Sequence, residues 1–433
     1  MGLFSSRKVG NKSQYDATRR SWPRTLYEEI RDMAAASFLV YVFGILLETA
    51  RRNPDTFRGV EVQKSSGRIF RRSRTRNLPR TFTPEDVIQI IQKNQQLLRK
   101  EFPSYFKNPE TTLRSLELLR NRAELSGYKN GNPLRLVEYD DRQYVFHVHR
   151  HSALRVLITT LPLPCSQKRN PVYAISVDKV NKRVTLTFRG TDNDLAFSTN
   201  WKANINVIKS SASLPEQLKG KLPMEGVNIH SGYYGYLFGK RSGREKDLSK
   251  TKFEEVWDAL RPVLRANRGY KLYITGHSMG GALAIICAFF LACDKRSGVI
   301  PKPVSCISFG SPRVGDINFM RAVRILEKDR YLRYCRVVND NDMVTTIPMI
   351  QYHHAGVQVR LFRSKNRPPV ISYPKAGSLP NAVQSLVGNS LLSNLNAGYD
   401  HSDYRERIET HRDSLWKKSL NDVYKDRSIT GFS

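Results

Sequence analysis

The spacing of apolar and polar positions changes character along the chain. Residues 33–47, MAAASFLVYVFGILL, form an uncharged run between Asp32 and Glu48. The run falls short of the roughly 20 residues that cross a bilayer, and apolar residues surround its whole helical circumference. It therefore predicts a helix enclosed by a core rather than a membrane span. TFTPEDVIQIIQKNQQLLRK, 81–100, predicts a second helix with Thr83 as N-cap and Pro84 at its first position. A third helical stretch spans 109–125. From about residue 134 the period shortens, and LRLVEYDDRQYVFHVHR, VYAISVD and KRVTLTFRG read as strands separated by turns. Residues 252–267 return to helix. Phe253, Val256, Trp257, Leu260, Val263 and Leu264 make one apolar face, with Pro262 implying a kink. Strand LYIT, a helix from Gly280, strand VSCISFG and strand YCRVVN then alternate. This order predicts an α/β fold: a mostly parallel central sheet flanked by helices, with a helical N-terminal extension.

The expected divisions are a basic tail over 1–25, a helical extension over 26–130, the α/β domain over 131–415 and a C-terminal tail over 416–433. Charge sharpens the first two. The 433 residues include 71 Lys or Arg against 39 Asp or Glu, a formal net charge of +32. Part of the excess is concentrated in the linker KSSGRIFRRSRTRNLPR, 64–80. Such a block is either solvated or an electrostatic footprint on anionic lipid headgroups. Nucleic acid is disfavoured, since no RNA-binding aromatic motif, helix-turn-helix signature or zinc-finger spacing accompanies the charge. Gly2, Ser6 and the basic residues Arg7, Lys8 and Lys12 fit N-myristoylation with a basic second signal. No secretory signal is visible. Cys165, Cys287, Cys293, Cys306 and Cys335 form no CxxC pair or regular framework, which suits a reduced setting. The expected location is intracellular, at a membrane periphery.

The chemistry centres on LYITGHSMGGALAI, 272–285. Gly276, His277, Ser278, Met279 and Gly280 satisfy G-x-S-x-G between a strand and a helix, the context in which a serine is held on a sharp turn as a nucleophile. Helix-start N–H groups beside Ser278 favour an anionic intermediate. A serine hydroxyl also needs a base oriented by a carboxylate. YCRVVN runs into NDNDMVTTIP, which supplies Asp340 and Asp342 at a strand's carboxyl end; Asp342 is the preferred acid, and Asp340 suits a turn. Of the later histidines, His353 and His354 come soon after the acid and read as structural. His401, in GYDHSDYRERI, can approach from a loop. His147, His149 and His151 alternate on one strand face without a Cys or carboxylate pattern, so neither a metal nor an organic cofactor is expected.

Together TFRGTD at 187–192, NW at 200–201, HSGYYGYL at 230–237, GHSMGGALA at 276–284, FGSPRVGD at 309–316, VVNDNDMVTTIP at 337–348 and DHSDY at 400–404 resemble the class 3, or fungal-type, lipases of the α/β-hydrolase fold. The resemblance spans about 170–405. It implies Ser278 as nucleophile, Asp342 as acid and His401 as base. Gly190 and Thr191 fall on the oxyanion loop, so that the N–H groups of Thr191 and Met279 would hold the oxyanion. His230 and Trp201 are expected to be scaffolding near the site. The segment 192–225, where such lipases often carry a lid, shows no amphipathic helical pattern. The implied activity is hydrolysis of fatty acyl esters of lipids. Acyl transfer through the same acyl-enzyme and a silent lipase-fold scaffold at a membrane are the alternatives.

Overall fold

The computed structural model describes residues 25–52, 92, 96, 173–178, 181–190, 208–222, 226–239, 251–294, 298–348, 351–374, 400–401 and 403–432. Gly2, the basic linker 64–80, the stretch 109–125, the strand-like stretch from 134, His147, His149, His151, Cys165, Thr191 and Trp201 lie outside them, and so does nearly all of 81–100.

The run at 33–47 sits within one longer helix, α1 (Leu26–Arg52). Next come β1 (Tyr173–Asp178), β2 (Arg183–Phe188), β3 (Lys209–Ser213), β4 (Gly226–His230), α2 (Ser231–Phe238) and α3 (Lys252–Ala266). They are followed by β5 (Lys271–His277), α4 (Met279–Cys293), β6 (Val304–Phe309), α5 (Ile317–Lys328), β7 (Leu332–Asn339), β8 (Val357–Leu361) and β9 (Val370–Ser372). Four short helices end the chain: α6 (Tyr404–Thr410), α7 (Arg412–Trp416), α8 (Leu420–Lys425) and α9 (Arg427–Thr430).

Seven strands form one sheet in the order β1-β2-β5-β6-β7-β8-β9. The five from β2 to β8 are parallel, and the antiparallel β1 and β9 close the edges. Strands covered on both faces cannot alternate apolar with exposed polar residues. Accordingly every residue of β6 and β7 is buried, including Arg333 and Arg336. Within β5 the side chains alternate between two cores: Leu272 and Ile274 enter one with α3, α4 and α5, while Tyr273 enters the other with α1 and the C-terminal helices. β3 and β4 pair separately. Residues 208–222, within the segment that shows no amphipathic helical pattern, form β3 and a short 3-10 turn.

α1 is integral to this body. Leu26, Tyr27, Ile30, Met33 and Ala34 pack in the second core, and Val40 and Tyr41 join the first. Its buried Asp32 pairs with Arg183 of β2 at 2.8 Å, and Arg183 also pairs with Asp178 of β1 at 2.8 Å. The helix read from the sequence is therefore present, with its described side chains packed from Leu26 to Tyr41, and its ends lie well beyond 33 and 47. Among the described residues no helix is long and apolar enough to cross a membrane. α3 confirms its apolar face, with a Thr251–Glu254 capping box at its start and Pro262 inside it without ending it.

The tail expected over 416–433 needs correction. Ser419 caps α8 through a reciprocal bond with Asp422, Leu420 and Val423 are fully buried, and α9 follows. Tyr424 donates to Glu327 Oε1 at 2.5 Å and accepts from the Tyr334 N–H at 2.7 Å. These helices cover apolar residues of β7 and β8 that a tail would leave in water.

Candidate active site

Ser278 stands between β5 and α4 with φ 57° and ψ −130°, a strained conformation that an L-residue adopts only where its surroundings enforce it. The flanking glycines explain how. A β-carbon on Gly276 would lie 2.3 Å from the Gly280 carbonyl oxygen, and one on Gly280 would lie 2.4 Å from the Phe188 oxygen. Backbone therefore presses on backbone at both positions, and only glycine fits. The Ser278 N–H donates to the Phe309 oxygen at the end of β6 (2.8 Å), which fixes the turn against the neighbouring strand.

The next residue in that strand end, Gly310, has φ +56°, and a β-carbon there would meet Asp342 Oδ2 at 2.8 Å and His401 Cε1 at 2.9 Å. This glycine gives the His–Asp pair room beside the serine turn. His401 Nδ1 lies 3.0 and 2.9 Å from the two Asp342 oxygens, and both residues are buried. A carboxylate only accepts, so Nδ1 carries the proton and the lone pair of the neutral ring is on Nε2. His401 is also close to the serine through its neighbour, since the His277 and His401 rings are 4.4 Å apart between centroids.

Two further hydrogen bonds hold the acid's carboxylate. Asp342 Oδ1 accepts from the Val344 N–H at 2.9 Å, capping a 3-10 turn over Met343–Thr346. Tyr404 donates to Oδ2 at 2.5 Å while accepting from the Asn339 N–H at 3.1 Å. Asn339 Nδ2 donates to the Asp400 oxygen at 2.6 Å, tying the end of β7 to the residue before His401. Asp340, the other candidate acid, is engaged elsewhere: Arg407 donates to it at 2.6 Å. The Arg407 guanidinium also pairs with Asp400 and Asp403, anchoring the loop that carries His401.

The remaining residues have separate places. His277 is half-buried, its pKa driven down to about 3 chiefly by desolvation and then by His401. Met279 opens α4 directly after Ser278. Thr191 is outside the described residues, but its neighbour Gly190 reaches the turn, where a β-carbon would sit 3.3 Å from Ser278 Cβ. His230 accepts from the Gly232 N–H at 3.1 Å and stacks on Tyr233, which suits a scaffold. His354 is held neutral by burial, with Arg336 and Arg313 adding to the effect. His411 is bonded to the Phe362 backbone, so neither is presented as a base. Among the described residues no cluster of His, Cys, Asp or Glu could hold a metal. Cys287, Cys293, Cys306 and Cys335 are buried free thiols, and burial raises each pKa. Tyr404 and Gly310 lie inside motifs visible in the sequence, yet neither carries a signal of its role there.

A strained serine between β5 and α4, beside a buried His–Asp pair at the carboxyl ends of parallel strands, is the arrangement of the α/β-hydrolase fold. Residues 185–352 match the family described as lipase (class 3), in agreement with the motif resemblance. Over 179 residues the chain is 30% identical to "Galactolipase DONGLE, chloroplastic" of Arabidopsis thaliana, covering 40% of this chain and 35% of the relative. It is 31% identical over 202 residues to "Lipase ZK262.3" of Caenorhabditis elegans, covering 45% and 46%. It is 24% identical over 281 residues to "Phospholipase A1-Ialpha2, chloroplastic" of Arabidopsis thaliana, covering 61% and 55%. The chain thus spans about half the length of these relatives or less. The solved Rhizomucor miehei triacylglyceride lipase is 20% identical with a TM-score of 0.39, covering 54% of this chain and 77% of that one.

Proposed function

We propose that the protein hydrolyses fatty acyl esters of glycerolipids through an acyl-enzyme on Ser278. The observation that carries the reading is the His401–Asp342 pair beside the strained Ser278 turn. His401 Nε2 takes the Ser278 hydroxyl proton as Oγ attacks the ester carbonyl. Asp342 orients the imidazolium, and the N–H groups of Thr191 and Met279 receive the developing oxyanion, each such donor being worth about 2.7–4 kcal/mol. Collapse of the tetrahedral intermediate expels the alkoxide, which takes the proton from His401. Water deprotonated by the same ring then attacks the acyl-enzyme, and His401 returns the proton to Ser278 Oγ as the fatty acid is released. The family match and the lipase, galactolipase and phospholipase names of the relatives support the substrate class. Hydrolysis of mixed membrane lipid extract by the purified chain, read by the lipids consumed, tests it together with Ser278→Ala. Loss of turnover with an unchanged melting temperature is expected. Turnover surviving in the variant would contradict the assignment.

The enzyme is further proposed to work at the periphery of an anionic intracellular membrane. The +32 net charge and the Gly2 sequence context support this reading. Cosedimentation with vesicles should rise with their anionic lipid fraction and fall with salt. Equal binding to neutral vesicles would contradict it.

A further inference from the structure

The N-terminal helix touches the strand that leads into the proposed nucleophile. Ser37 Oγ shares a hydrogen bond with Thr275 Oγ1 at 2.9 Å, and Tyr41 Oη reaches His277 Nδ1 at 3.3 Å. Four helical residues rise about 6 Å and two strand residues about 6.6 Å, so a helix lying along β5 brings both pairs into register. On its other side His277 Nε2 lies 2.6 Å from the His401 carbonyl oxygen.

The chemistry of these atoms fixes where the protons are. A carbonyl oxygen only accepts, so His277 Nε2 donates to it. With its pKa near 3 the ring is neutral, which leaves Nδ1 as an acceptor and makes Tyr41 the donor. The chain of donation therefore runs from Tyr41 to His277 to the backbone of His401, whose side chain donates to Asp342. Without the tyrosine hydroxyl, the Nδ1 acceptor loses this donor, and the opposite tautomer would set a lone pair against the carbonyl.

We infer that Tyr41 is a positioning residue for catalysis: its hydroxyl fixes the His277 tautomer that holds the His401 backbone, making α1 part of the catalytic apparatus. The inference rests on the triad reading. It is tested in the full chain with p-nitrophenyl butyrate, in parallel with Ser278→Ala. Tyr41→Phe is expected to lower kcat about tenfold, the equivalent of one hydrogen bond of about 1.4 kcal/mol, with KM within about twofold. Tyr27→Phe, on the same helix but bonded to Glu409, serves as the control and should retain wild-type kcat. In His277→Gln, whose amide keeps the donor to His401 but lacks the Nδ1 acceptor, adding Tyr41→Phe should cause no further loss. Wild-type kcat in Tyr41→Phe, or an undiminished tenfold loss in the Gln background, would overturn the inference. Nitrogen NMR of the wild-type protein is independent of any variant's folding, and it should show His277 protonated at Nε2 and bare at Nδ1; the reverse tautomer would overturn it. Hydrolysis that survives Ser278→Ala would instead refute the triad reading.

Discussion

At the scale of single residues, the proposed site depends on side chains that hold other side chains in place. Tyr404 exemplifies this, because its hydroxyl both donates to Asp342 and accepts from the end of β7. A hydrogen bond to a charged group contributes about 1.5–3 kcal/mol, so Tyr404→Phe should lower kcat on a soluble ester by about tenfold or more while Ser278 remains in place. Wild-type kcat in a folded Tyr404→Phe protein would show that the acid needs no such support. The serine was legible in the sequence because its requirement is local: Gly276 and Gly280 are demanded by backbone atoms a few residues away or on the adjacent strand. The sequence favours Asp342 over Asp340 as well, and in the structure Asp340 is engaged by Arg407 while Asp342 lies against His401. Gly310, Tyr404 and Tyr41 were not legible in the same way. Their roles arise only when segments far apart in sequence meet, and no spacing rule within one segment encodes that meeting.

At the scale of elements, the central strands and α3 followed from periodicity, since burial on both faces or on one face writes itself into the apolar pattern. The C-terminal helices did not. α8 and α9 are too short for a periodic signal, and their attachment combines apolar burial with a few polar bonds around the buried Glu327. Burial raises the Glu327 pKa to about 7, although hydrogen bonds from Tyr373, Tyr424 and the Tyr334 N–H oppose the rise. Tyr424→Phe removes one of these donors and an acceptor for the β7 backbone. It should destabilise the protein by about 1–3 kcal/mol in chemical denaturation. The kcat should remain at the wild-type value, because the contact lies on the sheet rather than at the serine. A variant of wild-type stability would indicate that the C-terminal helices are held by apolar burial alone.

At the scale of the whole molecule, the parallel sheet is what brings Ser278, Asp342 and His401 together from separate stretches of chain. β5, β6 and β7 end side by side; Ser278 follows β5, Gly310 follows β6, and Asp342 follows β7. α6 then begins just after His401, whose loop Arg407 fastens to Asp340, Asp400 and Asp403. α1, which reads as an extension beside the α/β portion, instead crosses from one core to the other and reaches the serine turn. The central claim is that these segments make Ser278 a nucleophile driven by His401. Its most direct test is the rate at which a lipid-like fluorophosphonate labels the purified chain, with the modified peptide identified by mass spectrometry. The account predicts a single adduct on Ser278, with labelling slowed by at least about a hundredfold in folded His401→Ala, the lower end of general-base contributions. An adduct on another residue, or equally fast labelling without His401, would contradict it.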